Sequence, residues 1–130
     1  MNSQLSPQQA ASELLARRKA RSGLIAFSAY TNPTYIAAPH HELIAAKLEA
    51  VERGEIKRLM ITMPPRHGKS ELASRRFPAW FIGRNPGKQI IAASYNSDLA
   101  SDFGREVRNI VASPEYGALF DCTLAIDSKA

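Results

Sequence analysis

The run Leu59-Met60-Ile61-Thr62-Met63-Pro64-Pro65-Arg66-His67-Gly68-Lys69-Ser70 decides how the rest of the chain is read. Its first five residues are apolar apart from one threonine and too few for a helix, which predicts a strand buried on both faces. Its last three close a loop in front of helical sequence that begins at Glu71. A phosphate-binding loop has the form G-x-x-x-x-G-K-[ST] in this same strand–loop–helix setting. Gly68 lets the backbone come close to phosphate and turn its N–H groups inward, and the helix start beyond it carries partial positive charge. In this reading Lys69 reaches the β- and γ-phosphates of ATP as a point charge, and the Ser70 hydroxyl ligates Mg²⁺. The first glycine of the pattern is absent, because Met63 stands five residues before Gly68.

Two further loop residues carry chemistry. The Arg66 guanidinium can clamp γ-phosphate oxygens bidentately and stabilise transition-state charge. It can equally face solvent or pair with Glu71. His67 has no partner identifiable from sequence and reads as a backbone spacer.

Upstream, Ser6-Pro7-Gln8-Gln9 opens a helix, with Ser6 as cap, Pro7 in the first turn and Gln9 as the reciprocal capping-box residue. That helix runs to about Arg21 and stops near Gly23. Leu24 to Tyr35 reads as a packed connector with turn chemistry at Asn32-Pro33. Pro39 starts a second helix in which Ile44, Leu48 and Val51 share a face, and Gly54 ends it.

Downstream, helical sequence continues from Glu71 to about Arg84, and Pro78 should kink or split it near Phe77. Gln89 to Tyr95 predicts a second buried strand. Ser97 caps a long helix with an apolar stripe of Leu99, Phe103, Val107 and Ile110, and Ser113-Pro114 begins a short last turn. The order strand, loop, helix, strand, helix from Ile56 to Val111 is a βαβ unit, so the expected fold class is α/β, a parallel sheet with flanking helices.

The composition fits a globular chain: 130 residues, 45% hydrophobic and 22% charged. Collagen-like, disordered and disulfide-scaffold classes are excluded. The net charge of +5 is spread evenly and permits an anionic partner without demanding one. One cysteine, Cys122, excludes an intrachain disulfide and any cysteine-based zinc site, and reads as a small core or surface thiol. Met1 to Ser12 lacks the basic and apolar regions of a secretory signal, and no apolar run is long enough to span a membrane, so an intracellular soluble protein is expected. Arg17-Arg18-Lys19-Ala20-Arg21 is a solvated helix end whose charges complement the carbonyl terminus. The alternative it leaves open is a non-catalytic basic nucleic-acid-binding or adaptor module.

Four stretches together carry a more specific resemblance: Pro39-His40-His41-Glu42-Leu43-Ile44, Pro64-Pro65-Arg66-His67-Gly68-Lys69-Ser70-Glu71, Ala93-Ser94-Tyr95-Asn96 and Asp102-Phe103-Gly104-Arg105. From about Gly23 onward the chain resembles the large subunit of tailed-phage or prophage DNA-packaging terminases, in which an arginine-bearing loop without the leading glycine is usual. The resemblance implies an incomplete P-loop NTPase of the additional-strand type, with residues 1–38 an N-terminal helix and connector and residues 39–130 the front part of the ATPase domain. It implies ATP and Mg²⁺ as cofactors, nucleotide contacts from Pro65, Arg66, His67, Gly68, Lys69, Ser70 and Glu71, catalytic roles for Arg66 and Lys69, and Ser70 as the Mg²⁺ ligand. Such ATPases drive double-stranded DNA into the procapsid as a homo-oligomeric ring in the host cytoplasm, with the portal protein and the small terminase subunit as partners and no membrane. Residues near Pro39 to Glu42 lie where such ATPases often contact adenine; a helix N-terminus with a solvated His40 or His41 is the reading taken here.

Hydrolysis also needs an acidic pair at the end of a third buried strand. The candidates, Asp121 after Phe120 and Asp127 after Ala125-Ile126, lack a preceding apolar run and a second acid, and read as loop residues. The family's acidic pair, coupling motif and nuclease domain are therefore expected beyond Ala130, and this chain alone is expected to hydrolyse poorly. In the additional-strand arrangement later strands insert between the two found here, which alone would present unpaired edges or be forced together.

Overall fold

A computed structural model describes residues 4–122 and 124 of the chain. Its first helix, α1 (Pro7–Ser22), starts at a complete capping box: the Gln9 N–H donates to Ser6 Oγ at 3.2 Å and the Ser6 N–H donates to Gln9 Oε1 at 2.9 Å. Gly23 breaks it, and α2 (Leu24–Thr31) follows at once. The stretch read as a connector is thus largely helical. It shows no amphipathic period because its residues are apolar nearly all round: Leu24, Phe27 and Ser28 are fully buried, and the exposed position, Ala29, is itself apolar.

α3 (Pro39–Glu52) buries Ile44 and Leu48 of the predicted face and leaves Val51 half-buried, while Ala45, outside that face, is buried too. A six-residue π-helical segment (Glu71–Arg76) runs directly into α4 (Phe77–Arg84). This is the predicted split at Pro78. Proline has no N–H for the i→i−4 ladder and its ring crowds the Ser74 carbonyl, so the preceding turn widens. The Phe77 N–H accordingly donates to the Leu72 carbonyl, five residues back. α5 (Ser97–Val111) is capped by Asn96, whose side chain accepts from the Asp98 N–H at 2.7 Å, rather than by Ser97. α6 (Pro114–Leu119) is the short last helix, with Ser113 as its cap.

These helices share one core that runs from Ala20 on α1 to Phe120 after α6. Trp80 is its largest member, and its indole N–H donates to the Arg21 carbonyl at 3.2 Å, tying α4 to the end of α1. Tyr116 is fully buried, donates to the Ala79 carbonyl at 2.8 Å and meets Phe27 edge-on at 6.1 Å. The Leu24 N–H, free at a helix start, donates to Glu49 Oε1 at 2.8 Å and joins α2 to α3.

The expectation of an α/β fold with a parallel sheet is overturned: among the described residues there are helices and no strand. Leu59–Met63 and Gln89–Tyr95 do not pair with each other. Both contribute to the lining of a groove of about 580 Å³, the first through Leu59 and Ile61 and the second through Gln89 to Ala93. Neither segment makes a backbone–backbone hydrogen bond among the described residues, and a strand exists only through its ladder. Nor are they buried on both faces, since Met60 is 90% exposed and Ile91 93%. Apolar composition alone predicted strands here, and the missing ingredient is a hydrogen-bonding neighbour.

Candidate phosphate-binding loop

Pro64 to Ser70 connects the first extended segment to the π-helical segment and curls around a cavity of about 390 Å³ lined by residues 64–71 and by Arg75. Its backbone takes two left-handed steps, Arg66 at φ +65° and Gly68 at φ +79°. Glycine adopts that region freely, whereas for arginine it is an uncommon conformation that costs about 1 kcal/mol or more. Among the described residues, the backbone N–H groups of Gly68, Lys69, Ser70 and Glu71 have no protein acceptor; the first satisfied amide is Leu72, which donates to the Gly68 carbonyl at 3.2 Å. The first amides of a helical segment have no intrahelical acceptor, and donors of this kind suit an anion.

The side chains around these amides divide into free and engaged. Lys69 and Ser70 are half-buried at the loop's end, and Arg66 is exposed with no ion pair among the described residues. Glu71 does not pair with Arg66. It accepts from Arg76 at 2.7 Å and from Arg75 at 3.4 Å. Arg75 also pairs with Glu106 of α5 and lies over the Phe103 ring at 5.3 Å. Sequence reasoning passed over Arg75, although its i,i+4 spacing from Glu71 was a usable signal.

His67 turns its ring back into the loop, with Nδ1 2.9 Å from the Pro65 carbonyl. The larger departure concerns α3. His40 and His41 stay partly exposed at the helix start but also reach the loop: their Nε2 atoms lie 3.0 and 2.7 Å from the His67 carbonyl oxygen, so the start of α3 docks there. Tyr35 tilts against His41 with ring centres 5.9 Å apart, and burial first, then the neighbouring Glu71, pushes its phenol above the ordinary range.

The remaining candidates lie elsewhere. Asp121 is exposed beyond α6, while Asp127 lies outside the described residues. No group of three or more metal-ligating side chains occurs among the described residues. A lone serine hydroxyl still suits Mg²⁺, which keeps several waters and takes few protein ligands when phosphates supply the rest. In the basic run on α1, Arg17 is engaged by Glu13 at 2.8 Å, and Glu13 in turn accepts from Tyr30 at 2.5 Å. The Tyr30 bond, followed by the Arg17 bond, holds the Glu13 carboxyl below its usual range. The basic run is therefore partly neutralised. Among the described residues no helix is long and apolar enough to cross a membrane.

The loop, its helix start and the segments around it fall inside a recognised family. The family described as terminase large subunit, T4likevirus-type, N-terminal, matches residues 60–125, half of the chain. The chain belongs to this terminase large-subunit family, whose role is viral DNA packaging and whose members are generally ATPases. No curated protein and no solved structure matches the chain.

Proposed function

We propose that Pro64 to Glu71 is the ATP-binding loop of a DNA-packaging terminase large subunit, holding the triphosphate on the backbone amides of Gly68 to Glu71. The observation that carries this reading is the run of four amides without protein acceptors, set around a cavity beside Lys69. Phosphate oxygens satisfy such donors, and the helix start favours their charge. Lys69 contributes a mobile ammonium to the β- and γ-phosphates, and the exposed Arg66 reaches the outermost phosphate. Mg²⁺ held between the phosphates and the Ser70 hydroxyl neutralises charge on the β- and γ-oxygens. Double-stranded DNA, the portal protein, the small subunit and a ring of identical subunits are the partners this assignment brings, with action in the host cytoplasm. Hydrolysis also needs an acidic pair, a role that Asp121, exposed and without a flanking acid, does not fill.

Titration with a fluorescent ATP analogue and Mg²⁺ tests the site. Lys69→Ala should weaken binding by roughly tenfold or more, the scale of a lost charge-assisted contact. Equal affinities for the two proteins would overturn it.

A further inference from the structure

We propose that His41, seconded by His40, is a positioning residue for the loop: it fixes the His67–Gly68 peptide and thereby aims the Gly68 N–H into the cavity. The inference deepens the nucleotide-binding reading and rests on it for its effect on affinity, but not for its effect on the loop itself.

The His41 tautomer follows from its two neighbours. Its Nδ1 lies 3.1 Å from the Ala38 N–H and accepts from it, so in the neutral ring the proton sits on Nε2. Nε2 then donates to the His67 carbonyl at 2.7 Å, and His40 Nε2 lies 3.0 Å from the same oxygen. A carbonyl has two lone pairs, and His40 takes up the second when its own proton is on Nε2.

That peptide is trans, and in a planar trans peptide the C=O and N–H point in opposite directions. Drawing the His67 carbonyl toward α3 therefore turns the Gly68 N–H away from α3 and toward the cavity. The same contact explains why residue 68 has no side chain: a Cβ there would sit 2.6 Å from His41 Nε2. Gly68 is demanded both by its φ of +79° and by the imidazole against it. On the other flank, the Tyr35 ring backs His41. Through Ile44, Ala45 and Leu48 the helix that carries His41 is anchored in the core. The loop is thus held from a distant element, 26 residues away in sequence, as well as by its own turns.

Two substitutions separate this role from ordinary helix capping. His41→Gln can accept from the Ala38 N–H with its amide oxygen and donate to the His67 carbonyl with its amide nitrogen. His41→Glu can cap α3 equally well, and its charge suits the helix start, but it has no proton to donate. The readouts are the thermal midpoint, the rate of trypsin cleavage at Arg66 and Lys69 in the nucleotide-free chain, and affinity for the fluorescent ATP analogue. We expect His41→Gln to match the wild type in all three within about twofold. His41→Glu should keep the midpoint, be cut in the loop about tenfold faster, and bind the analogue about tenfold more weakly, the scale of one lost hydrogen bond. An acid near the scissile bond slows trypsin, so faster cutting is not a charge artefact. Wild-type cleavage rates in His41→Glu would overturn the proposal whatever the affinity. Faster cleavage in His41→Glu, with no analogue binding by the wild type, would support the positioning role and overturn the nucleotide reading instead.

Discussion

At the scale of single residues, Tyr116 couples stability to alkaline pH. Its phenol is fully buried and donates to the Ala79 carbonyl, and burial, followed by the nearby Cys122, pushes its ionisation far above the ordinary range. The unfolded chain ionises this phenol from about pH 10, while the folded chain resists. Its stabilising contribution is therefore complete below about pH 10 and is lost as pH rises beyond that. Tyr30 and Tyr35, both shifted upward chiefly by burial, act in the same direction. Tyr116→Phe should cost about 1–2 kcal/mol at neutral pH, because it removes a buried hydrogen bond to the Ala79 carbonyl. It should also flatten, without abolishing, the fall in stability on denaturant titration between pH 9 and 11. An unchanged alkaline slope would remove Tyr116 from this account. Arg66 poses a different residue-scale question, since it holds φ +65° in the loop. Arg66→Gly relieves strain of about 1 kcal/mol but adds a comparable entropic cost in the unfolded chain. The midpoint should stay put while nucleotide affinity falls several-fold; an affinity equal to that of the wild type would show that the guanidinium contributes nothing.

At the scale of elements, two glycines within helices should respond with opposite signs. Gly104, in the middle of α5, has nothing within 4 Å of the position a Cβ would take. Gly104→Ala should therefore gain about 1 kcal/mol of helix propensity. Gly83 on α4 faces the Phe120 ring, and a Cβ there would lie 2.5 Å from it. Phe120 is part of the core and cannot swing aside freely, so a packing cost of about 1–3 kcal/mol outweighs the same propensity gain. Thermal midpoints that rise in both variants would mean that Phe120 relocates at little cost. The elements themselves were unevenly legible. α1, α3 and α6 carry caps, prolines and apolar spacing written in a few adjacent residues, and they stand close to where those signals put them. α2 was missed because it is apolar on its exposed as well as its buried face, which erases amphipathic periodicity. The π-helical segment was visible only as a discontinuity at Pro78, since its width depends on which carbonyls the following amides reach.

At the scale of the molecule, short-range and long-range information separate cleanly. The loop's composition and its helix start were legible because they depend on neighbours within a few residues. The docking of His40 and His41 on it was not, because that contact closes over 26 and 27 residues and needs the core to set the path of α3. The two apolar runs failed for a related reason: strand identity belongs to a pair, and each run here lacks one. The consequence is measurable. Met60, Ile91 and Tyr95 are each at least 90% exposed, and the groove that both runs help to line includes Ile61, Phe77, Phe81 and Ile90. Extended apolar segments with unpaired backbone are templates for association. The chain should therefore self-associate with rising concentration, seen as an increase in scattering mass across a dilution series, and should melt broadly. Ile91→Lys places a charge on one such segment at a site with almost no packing to lose, so it should lower association several-fold and leave the stability within about 0.5 kcal/mol of the wild type. A monomer at all concentrations with a sharp cooperative melt would mean that the exposed runs carry no adhesive surface, and that the helical core alone specifies the folded state.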